Sequence, residues 1–446
     1  MKTNRRMFLK GATCASAPFI LPSHIWAAET GPNDRIVMGC IGMGTQLRGL
    51  MNGFIHQDGV QVVAVCDVNT TLREDAQRIA NEYYGKNAAK GTADVKGYND
   101  FREVIARKDI NAIVIATPDH WHAIQTVAAL NAGKDVYCEK PLTHNVNEAI
   151  EVIRASEKNK RIVQTGSMQR SSIEFRVACE LARNGAIGKI KHVVASFGGP
   201  ARPYDKKEAE EMEPGIDWNM WLGPAQMAPY SKEVCPPGIQ RGFPNWRGYR
   251  EFGGGGVTDW GAHHLDIAHW GLGMDQSGPV EIVPVEGKHE AELTYSNGIK
   301  VYHKGGFGCE FHGEDGLVRV NRGKFTFQLG DEKVAWFADD KDKETTSCEA
   351  QVLKAEKAYL ADAKIKLYNS KNHLTDFLEC VRSRKQPCTN AETGGRTAIA
   401  CNLLNQAYYN RTKIVWDPKA LTLGGGGNPK WLTRDYRAPF SLSSVL

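Results

Sequence analysis

Ile36-Val37-Met38-Gly39-Cys40-Ile41-Gly42-Met43-Gly44-Thr45-Gln46-Leu47 is the stretch on which the fold turns. A run of apolar and small residues reads as a buried strand, and the glycines interrupt it where a helix opens. That is the setting of a phosphate-binding turn. Gly42 permits the tight bend, and Gly44 lets backbone approach a diphosphate. The helix N-terminus offers N–H groups and the positive end of its dipole. Met43 belongs to the same turn. Leu47 stands where G-x-G-x-x-G has its third glycine, the position that otherwise lets the helix lie close to the strand.

Asp67 closes the next apolar run, Val63-Ala64-Val65-Cys66-Asp67. A carboxylate there can accept from ribose hydroxyls and repels a 2′-phosphate, which favours NAD over NADP. Read without the turn before it, Asp67 would only cap the following helix. The pattern then repeats. Strand-like runs at Ile36 to Ile41, Val60 to Val65, Ile110 to Ala116, Asp135 to Cys138 and Arg161 to Thr165 alternate with helical stretches at Thr71 to Tyr84, Asp119 to Ala132 and Asn147 to Asn159. Short β-rich runs separated by helices predict a parallel, doubly wound sheet.

After residue 170 the strand candidates lengthen: Ile190 to Phe197, Val280 to Val285, Lys300 to Phe307, Leu317 to Val320 and Lys324 to Leu329. They predict a mostly antiparallel, open sheet. The Pro-, Gly- and Trp-rich stretch from Gly198 to Gly256 is too apolar for a disordered linker and reads as long loops on one side of that sheet. Asn372 to Ser383 and Thr393 to Tyr409 read as helices, and Gly424 to Leu446 as an extended arm. The expected fold class is therefore α/β, with four segments: a leader at 1–28, a Rossmann domain at 34–169, a C-terminal α/β domain at 170–423 and the arm at 424–446.

The leader reads Asn4-Arg5-Arg6-Met7-Phe8-Leu9-Lys10, then a short apolar run from Gly11 to Leu21 and Ile25-Trp26-Ala27-Ala28. Charged region, apolar region and small-residue cleavage site follow in the order of a signal peptide, and the paired arginines with Phe-Leu-Lys resemble a twin-arginine signal. Pro18 and Pro22 oppose the alternative of a basic amphipathic helix. The route carries folded proteins, so a periplasmic protein whose cofactor is inserted before export is expected. The formal charge of the whole chain is +5. Lys2, Arg5, Arg6 and Lys10 lie in the leader, which holds no acid, leaving the mature chain near +1. No basic block points to nucleic acid. No run approaches the roughly 20 apolar residues of a membrane span, so no transmembrane segment is expected in the mature chain. The 11 cysteines are scattered, and Cys40, Cys66 and Cys138 fall in strand-like runs as small hydrophobes. Cys380 and Cys388 are the pair open to disulfide formation.

Three further motifs complete the pattern: Thr117-Pro118-Asp119-His120-Trp121-His122, Glu139-Lys140-Pro141, and Gly254-Gly255-Gly256-Val257-Thr258-Asp259-Trp260-Gly261-Ala262-His263-His264-Leu265-Asp266. With the Gly42 turn, they resemble the Gfo/Idh/MocA family over nearly the whole mature chain. The resemblance implies a Rossmann domain followed by an α/β domain whose open sheet forms homo-oligomer contacts. It implies that Lys140, Asp259 and His263 hold catalytic positions. Gly42, Met43, Gly44, Asp67, Thr117, Pro118, His122, Glu139 and Lys140 fall on the cofactor side.

Oxidising a secondary alcohol requires hydride transfer to a nicotinamide while the hydroxyl loses its proton. Lys140 can bind that oxygen and stabilise its developing charge, and His263 can exchange the proton. Asp259 and His263 stand four apart, on one face if the segment is helical. His264, Arg247 and Trp260 are the substrate-side candidates, and Trp218, Trp221 and Trp246 offer further aromatic faces to a sugar or to a core. His263, His264 and Asp266 also carry the atom types of a zinc or manganese site. Their spacing fits no familiar signature, and no metal is expected. The expected activity is an NAD-dependent oxidoreductase acting on a sugar, polyol or glycoside, with the dinucleotide tightly held. A redox-neutral glycoside hydrolase and an NAD-retaining carbohydrate-binding protein are the alternatives.

Overall fold

The computed structural model describes residues 35–445; the leader and Cys14 lie outside the described residues. β1 (Ile36–Ile41) is a continuous apolar run and β2 (Val60–Cys66) is interrupted only by Gln61, and both are largely buried, as inner parallel strands are. With β3 (Lys96–Tyr98), β4 (Ala112–Ile115), β5 (Asp135–Cys138) and β6 (Val163–Thr165) they form an all-parallel sheet in the order β3-β2-β1-β4-β5-β6. The order reverses between β1 and β4, and ligands of doubly wound sheets bind at that crevice.

The connecting helices are α1 (Thr45–Ile55), α2 (Thr70–Lys86), α3 (Phe101–Ala106), α4 (Asp119–Asn131) and α5 (Val146–Asn159). Asn69 caps α2 by accepting from the amides of Thr71 and Leu72, Asp100 caps α3, and Asn145 caps α5. α1 alone among these connectors begins on a glycine, Gly44, with no side chain on its first amides. β3 and α3, of 3 and 6 residues, are too short for a periodic pattern to show in the sequence.

The second sheet has ten strands in the order β14-β13-β12-β11-β7-β10-β9-β8-β15-β16. They are β7 (Ile190–Ala195), β8 (Pro279–Pro284), β9 (Ala291–Tyr295), β10 (Lys300–His303), β11 (Cys309–Gly313), β12 (Gly316–Asn321), β13 (Lys324–Leu329), β14 (Glu332–Phe337), β15 (Ile414–Asp417) and β16 (Thr422–Leu423). Only β7 and β10 pair in parallel, so the expected mostly antiparallel sheet is what forms. Burial alternates along β9 and β12, which leaves one face partly open. The other face carries α6 (Ile173–Arg183), α9 (Gly261–Leu272), α10 (Cys348–Tyr359) and α12 (Ala391–Asn410), while the short α7 (Trp218–Leu222) and α8 (Gly255–Asp259) fall between α6 and α9 in the chain.

From Ile36 onward the described residues make one compact unit, in which segments from after residue 170 pack against the first sheet. One of them is α11 (His373–Ser383). Its Phe377, Leu378, Cys380 and Val381 join Phe54 and Tyr137 in the core beneath the parallel sheet. α12 also lies against the first sheet: a Cβ on Gly394 would fall 2.0 Å from Thr165 Oγ1, so only glycine allows that approach. The arm turns back on the chain rather than extending away. Tyr436 donates its hydroxyl to Glu148 at 2.8 Å, Arg437 donates to the Asn219 carbonyl at 2.7 Å, and the Phe440 ring meets Trp121 edge-on at 5.4 Å. Cys380 and Cys388 are free thiols, as are the other described cysteines. No helix among the described residues is long and apolar enough to cross a membrane.

Candidate functional site

The glycine turn has the geometry a dinucleotide needs. Gly42 sits at φ +92°, and a Cβ there would come within 2.7 Å of the Thr117 backbone nitrogen. Its N–H donates to Cys66 O at 2.8 Å, tying the turn to the end of β2. Nothing lies within 4 Å of the Cβ position on Gly44. Uncapped helix amides facing open space fit a diphosphate. Leu47 is fully buried, so α1 packs through a side chain where the fingerprint has glycine.

Asp67 lines the same cleft and accepts from the Asn69 amide at 2.8 Å and from the Met43 amide. Burial lifts its carboxyl to about 6, still ionised at neutral pH. The Met43 side chain is buried, and its part in the site is this amide. Thr117 and Pro118 line the opposite edge, in a cleft of about 1020 Å³ including its open mouth. These residues could hold the ribose and diphosphate of a dinucleotide.

The far wall of the cleft comes from the loop-rich stretch after β7, through Val234, Pro236, Gln240, Phe243 and Trp246. This strap is bonded across the cleft. Thr45 Oγ1 donates to Gly242 O at 2.7 Å and Arg48 Nη2 to Gln240 O at 2.6 Å. At its other end Thr70 N donates to Gly215 O at 2.9 Å, and Asn99 donates to Asp217 at 3.0 Å. Thr45 and Arg48 carry no sign of this in the sequence, because their partners are main-chain oxygens nearly 200 residues away.

Beside the cleft, Lys140 leaves the end of β5. Its Nζ donates to the Asp259 main-chain oxygen at 3.0 Å and to Asp259 Oδ1. Arg247 Nε lies 3.8 Å from the same carboxylate oxygen. Asp259 and His263 lie on either side of a one-residue helix break. Trp260 ends α8 (Gly255–Asp259) and starts α9, with the amides of His263 and His264 both donating to Trp260 O at 3.0 Å. His263 Nδ1 is buried with no partner among the described residues. Burial, reinforced by Lys140 and Arg322, holds the imidazole well below its ordinary pKa. It is therefore neutral at pH 7.

Two buried carboxyls stand behind Lys140. Glu139 accepts from Gln46 Nε2 at 3.0 Å and from the Lys140 amide at 3.2 Å, and burial raises its pKa. Asp119 is pushed up to about 8 by burial, against the opposing pull of Arg247 and Lys140. Glu139 thus orients Lys140 from its own backbone.

Several expected ligands serve the scaffold instead. His122 is buried with its ring nitrogens 2.7 Å from Pro141 O and 2.9 Å from Thr117 O, so it braces the two motifs rather than facing a cofactor. His264 is buried with Nδ1 2.5 Å from Ser196 O, which ties α9 to the second sheet, and its Nε2 has no partner among the described residues. Trp218 stacks on Trp221 at 4.6 Å in a separate aromatic core, and Trp221 and Trp246 line the dinucleotide cleft. Trp260 is 41% exposed, next in the chain to Asp259. Asp266 is taken by Arg170 through two 2.8 Å contacts and by Thr397 at 3.1 Å, which removes it as a metal ligand. No three His, Cys, Asp or Glu side chains converge as a metal site among the described residues.

Residues 36–167 match the family described as "Oxidoreductase family, NAD-binding Rossmann fold", and residues 203–442 match its "C-terminal alpha/beta domain". The chain belongs to the Gfo/Idh/MocA oxidoreductase family. A family 109 glycosyl hydrolase of Shewanella pealeana is 27% identical over 215 residues, 44% of this chain and 46% of the relative. Inositol 2-dehydrogenase of Salmonella typhimurium is 36% identical over 156 residues, 34% of this chain and 42% of the relative. The chain thus spans less than half the length of the curated relatives it matches.

Solved structures share the fold of this family member at low identity. Aldose-aldose oxidoreductase from Caulobacter crescentus, complexed with glycerol, aligns with a TM-score of 0.57 at 17% identity, covering 85% of this chain and 99% of that one. The WlbA dehydrogenase from Bordetella pertussis, in complex with NADH and UDP-GlcNAcA, aligns with a TM-score of 0.58 at 16% identity, covering 86% and 99%.

Proposed function

We propose that this protein is an NAD-dependent oxidoreductase acting on a sugar, polyol or glycoside. The observation that carries the reading is the meeting of Lys140, Asp259 and neutral His263 beside a cleft lined by the Gly42 turn and Asp67. NAD, when bound, accepts the hydride of the substrate carbon. Lys140 binds the reacting hydroxyl and stabilises the negative charge that develops on it. His263, held neutral beside Lys140, takes the hydroxyl proton. Asp259 fixes Lys140 in place and offsets its charge. Asp67 favours NAD over NADP by repelling a 2′-phosphate.

The strap from 213 to 247 supports retention of the dinucleotide, because release requires breaking its bonds to Thr45 and Arg48. A retained cofactor suits export of the folded chain by the twin-arginine route to the periplasm, the reading that residues 4–28 support. The partly open face of the ten-stranded sheet is the surface we assign to homo-oligomer contact.

The likeness to glycosyl hydrolase family 109 favours a second reading, net hydrolysis. Transient oxidation acidifies the neighbouring C–H, the aglycone leaves, water adds and the carbonyl is reduced again. Purified protein incubated without added NAD separates the two. Acceptor-dependent oxidation of free sugars supports the oxidoreductase, whereas release of p-nitrophenol from p-nitrophenyl glycosides with no net NADH supports the hydrolase. Failure of both, with no dinucleotide released on denaturation, refutes the reading.

A further inference from the structure

The reacting trio is surrounded by more positive charge than its own chemistry uses. Lys140 and Arg247 both face the Asp259 carboxylate. A third cation, Arg322, stands at the turn between β12 and β13, with its guanidinium 4.7 Å from the Trp260 ring centroid. Its charge is felt at Asp259, at Glu139 and at His263. Yet no side-chain or main-chain oxygen among the described residues accepts a hydrogen bond from its guanidinium, and no carboxylate pairs with it. Glu139 and Asp119, the other carboxyls nearby, are 5% and 4% exposed, and their burial favours the neutral form. Asp259 is the carboxylate in direct contact with this cationic cluster, through Lys140 and Arg247.

Arg322 differs from an ordinary surface arginine in two ways. The contact with the Trp260 indole restrains a side chain that is otherwise exposed, so less freedom is lost when it binds. Its place beside Trp260 and within the field of His263 puts it on the substrate side of the trio. It is not among the residues that line the dinucleotide cleft. A guanidinium held ready, with its donors free, fits a planar or tetrahedral oxyanion in a two-pronged contact.

We propose that the substrate is an anionic carbohydrate, whose carboxylate or phosphate is received by Arg322 while the reacting hydroxyl meets Lys140 and His263. This rests on the sugar-oxidoreductase reading above. A neutral sugar leaves the Arg322 guanidinium without an anionic partner, so discrimination comes from the ion pair that an oxyanion forms with it.

The test uses the purified full chain with its retained dinucleotide. Binding is measured by calorimetry and oxidation by bound-cofactor absorbance, with glucuronate, glucose 6-phosphate and glucose as probes at low and high salt. One or both anionic sugars should bind about tenfold more tightly than glucose, a gap of about 1.4 kcal/mol, and the gap should narrow with salt. The stronger of the two identifies the oxyanion. Arg322→Gln should cut the anion-to-neutral ratio about fivefold or more, and Arg322→Lys should restore part of it. Equal binding of glucose, or an unchanged ratio in Arg322→Gln, overturns the proposal. Anion binding without oxidation sustains this inference while the oxidoreductase reading fails. Oxidation of all three sugars without preference does the reverse.

Discussion

Replacing Lys140 by alanine separates the catalytic role of this residue from a role in holding the cofactor. The Nζ makes two contacts with Asp259, and Arg247, 3.8 Å away, is the cation that remains after its removal. Lys140 and Asp259 side chains are 17% and 27% exposed, between surface pairs worth under about 1 kcal/mol and buried pairs whose breakage costs about 3–5 kcal/mol. The expected loss of stability is therefore about 1–2 kcal/mol, leaving the variant folded. Removing a donor to the developing oxyanion should slow turnover about 10²–10³-fold, or about 2.7–4 kcal/mol. The cofactor should stay, since the strap bonds to Thr45 and Arg48 and the Gly42 turn are untouched. Dinucleotide content is read after denaturation, and turnover by bound-cofactor absorbance with the sugar that the parent oxidises. A rate within about fivefold of the parent refutes the assignment. Loss of dinucleotide in step with activity refutes it in another way, by making Lys140 a cofactor ligand.

Arg48→Ala removes the 2.6 Å bond to Gln240 O and should speed dinucleotide release about tenfold, measured by dilution into a trap; an unchanged rate counts against a strap that retains the cofactor. Arg170 is 2% exposed between Asp266 and Asp275, so Arg170→Ala strands two carboxylates and should cost about 3–5 kcal/mol in urea unfolding. Asp119 has a folded pKa of about 8, above its unfolded value, so its contribution is full below the unfolded pKa and is lost as pH rises to about 8. The stability gained by Asp119→Asn relative to the parent should therefore grow by about 1.4 kcal/mol per pH unit between pH 5 and 8 and level off above; a constant difference across that window would show the carboxyl is not so perturbed.

The residues of the parallel sheet were legible because they act locally. A strand buried on both faces must be apolar throughout, and a backbone that turns at φ +92° against Thr117 must be glycine. Those demands write Ile36 to Gly44 and Val63 to Asp67 into the sequence in recognisable form. Lys140, Asp259 and His263 were legible through their motifs, although the break at Trp260 was not. Helix periodicity places Asp259 and His263 on one face, and only the chain's own path shows Trp260 ending one helix and starting the next.

Other features depend on partners far apart in the chain. His122 has the side chain of a ligand, and main-chain oxygens at Pro141 and Thr117 turn it into a brace. Asp266 loses its potential as a metal ligand to Arg170, 96 residues away. The return of Phe377 and Leu378 to the core under the first sheet, the closure of the strap onto Thr45 and Arg48, and the position of Arg322 over Trp260 follow from no local pattern. The dinucleotide fold and the chemistry of the reacting groups are thus written along the chain, because strand burial, a glycine turn and a charged motif are constraints on neighbours. Which polar side chains face the site, and what encloses it, is settled only in three dimensions, because both depend on the distant oxygens and rings that folding brings within reach.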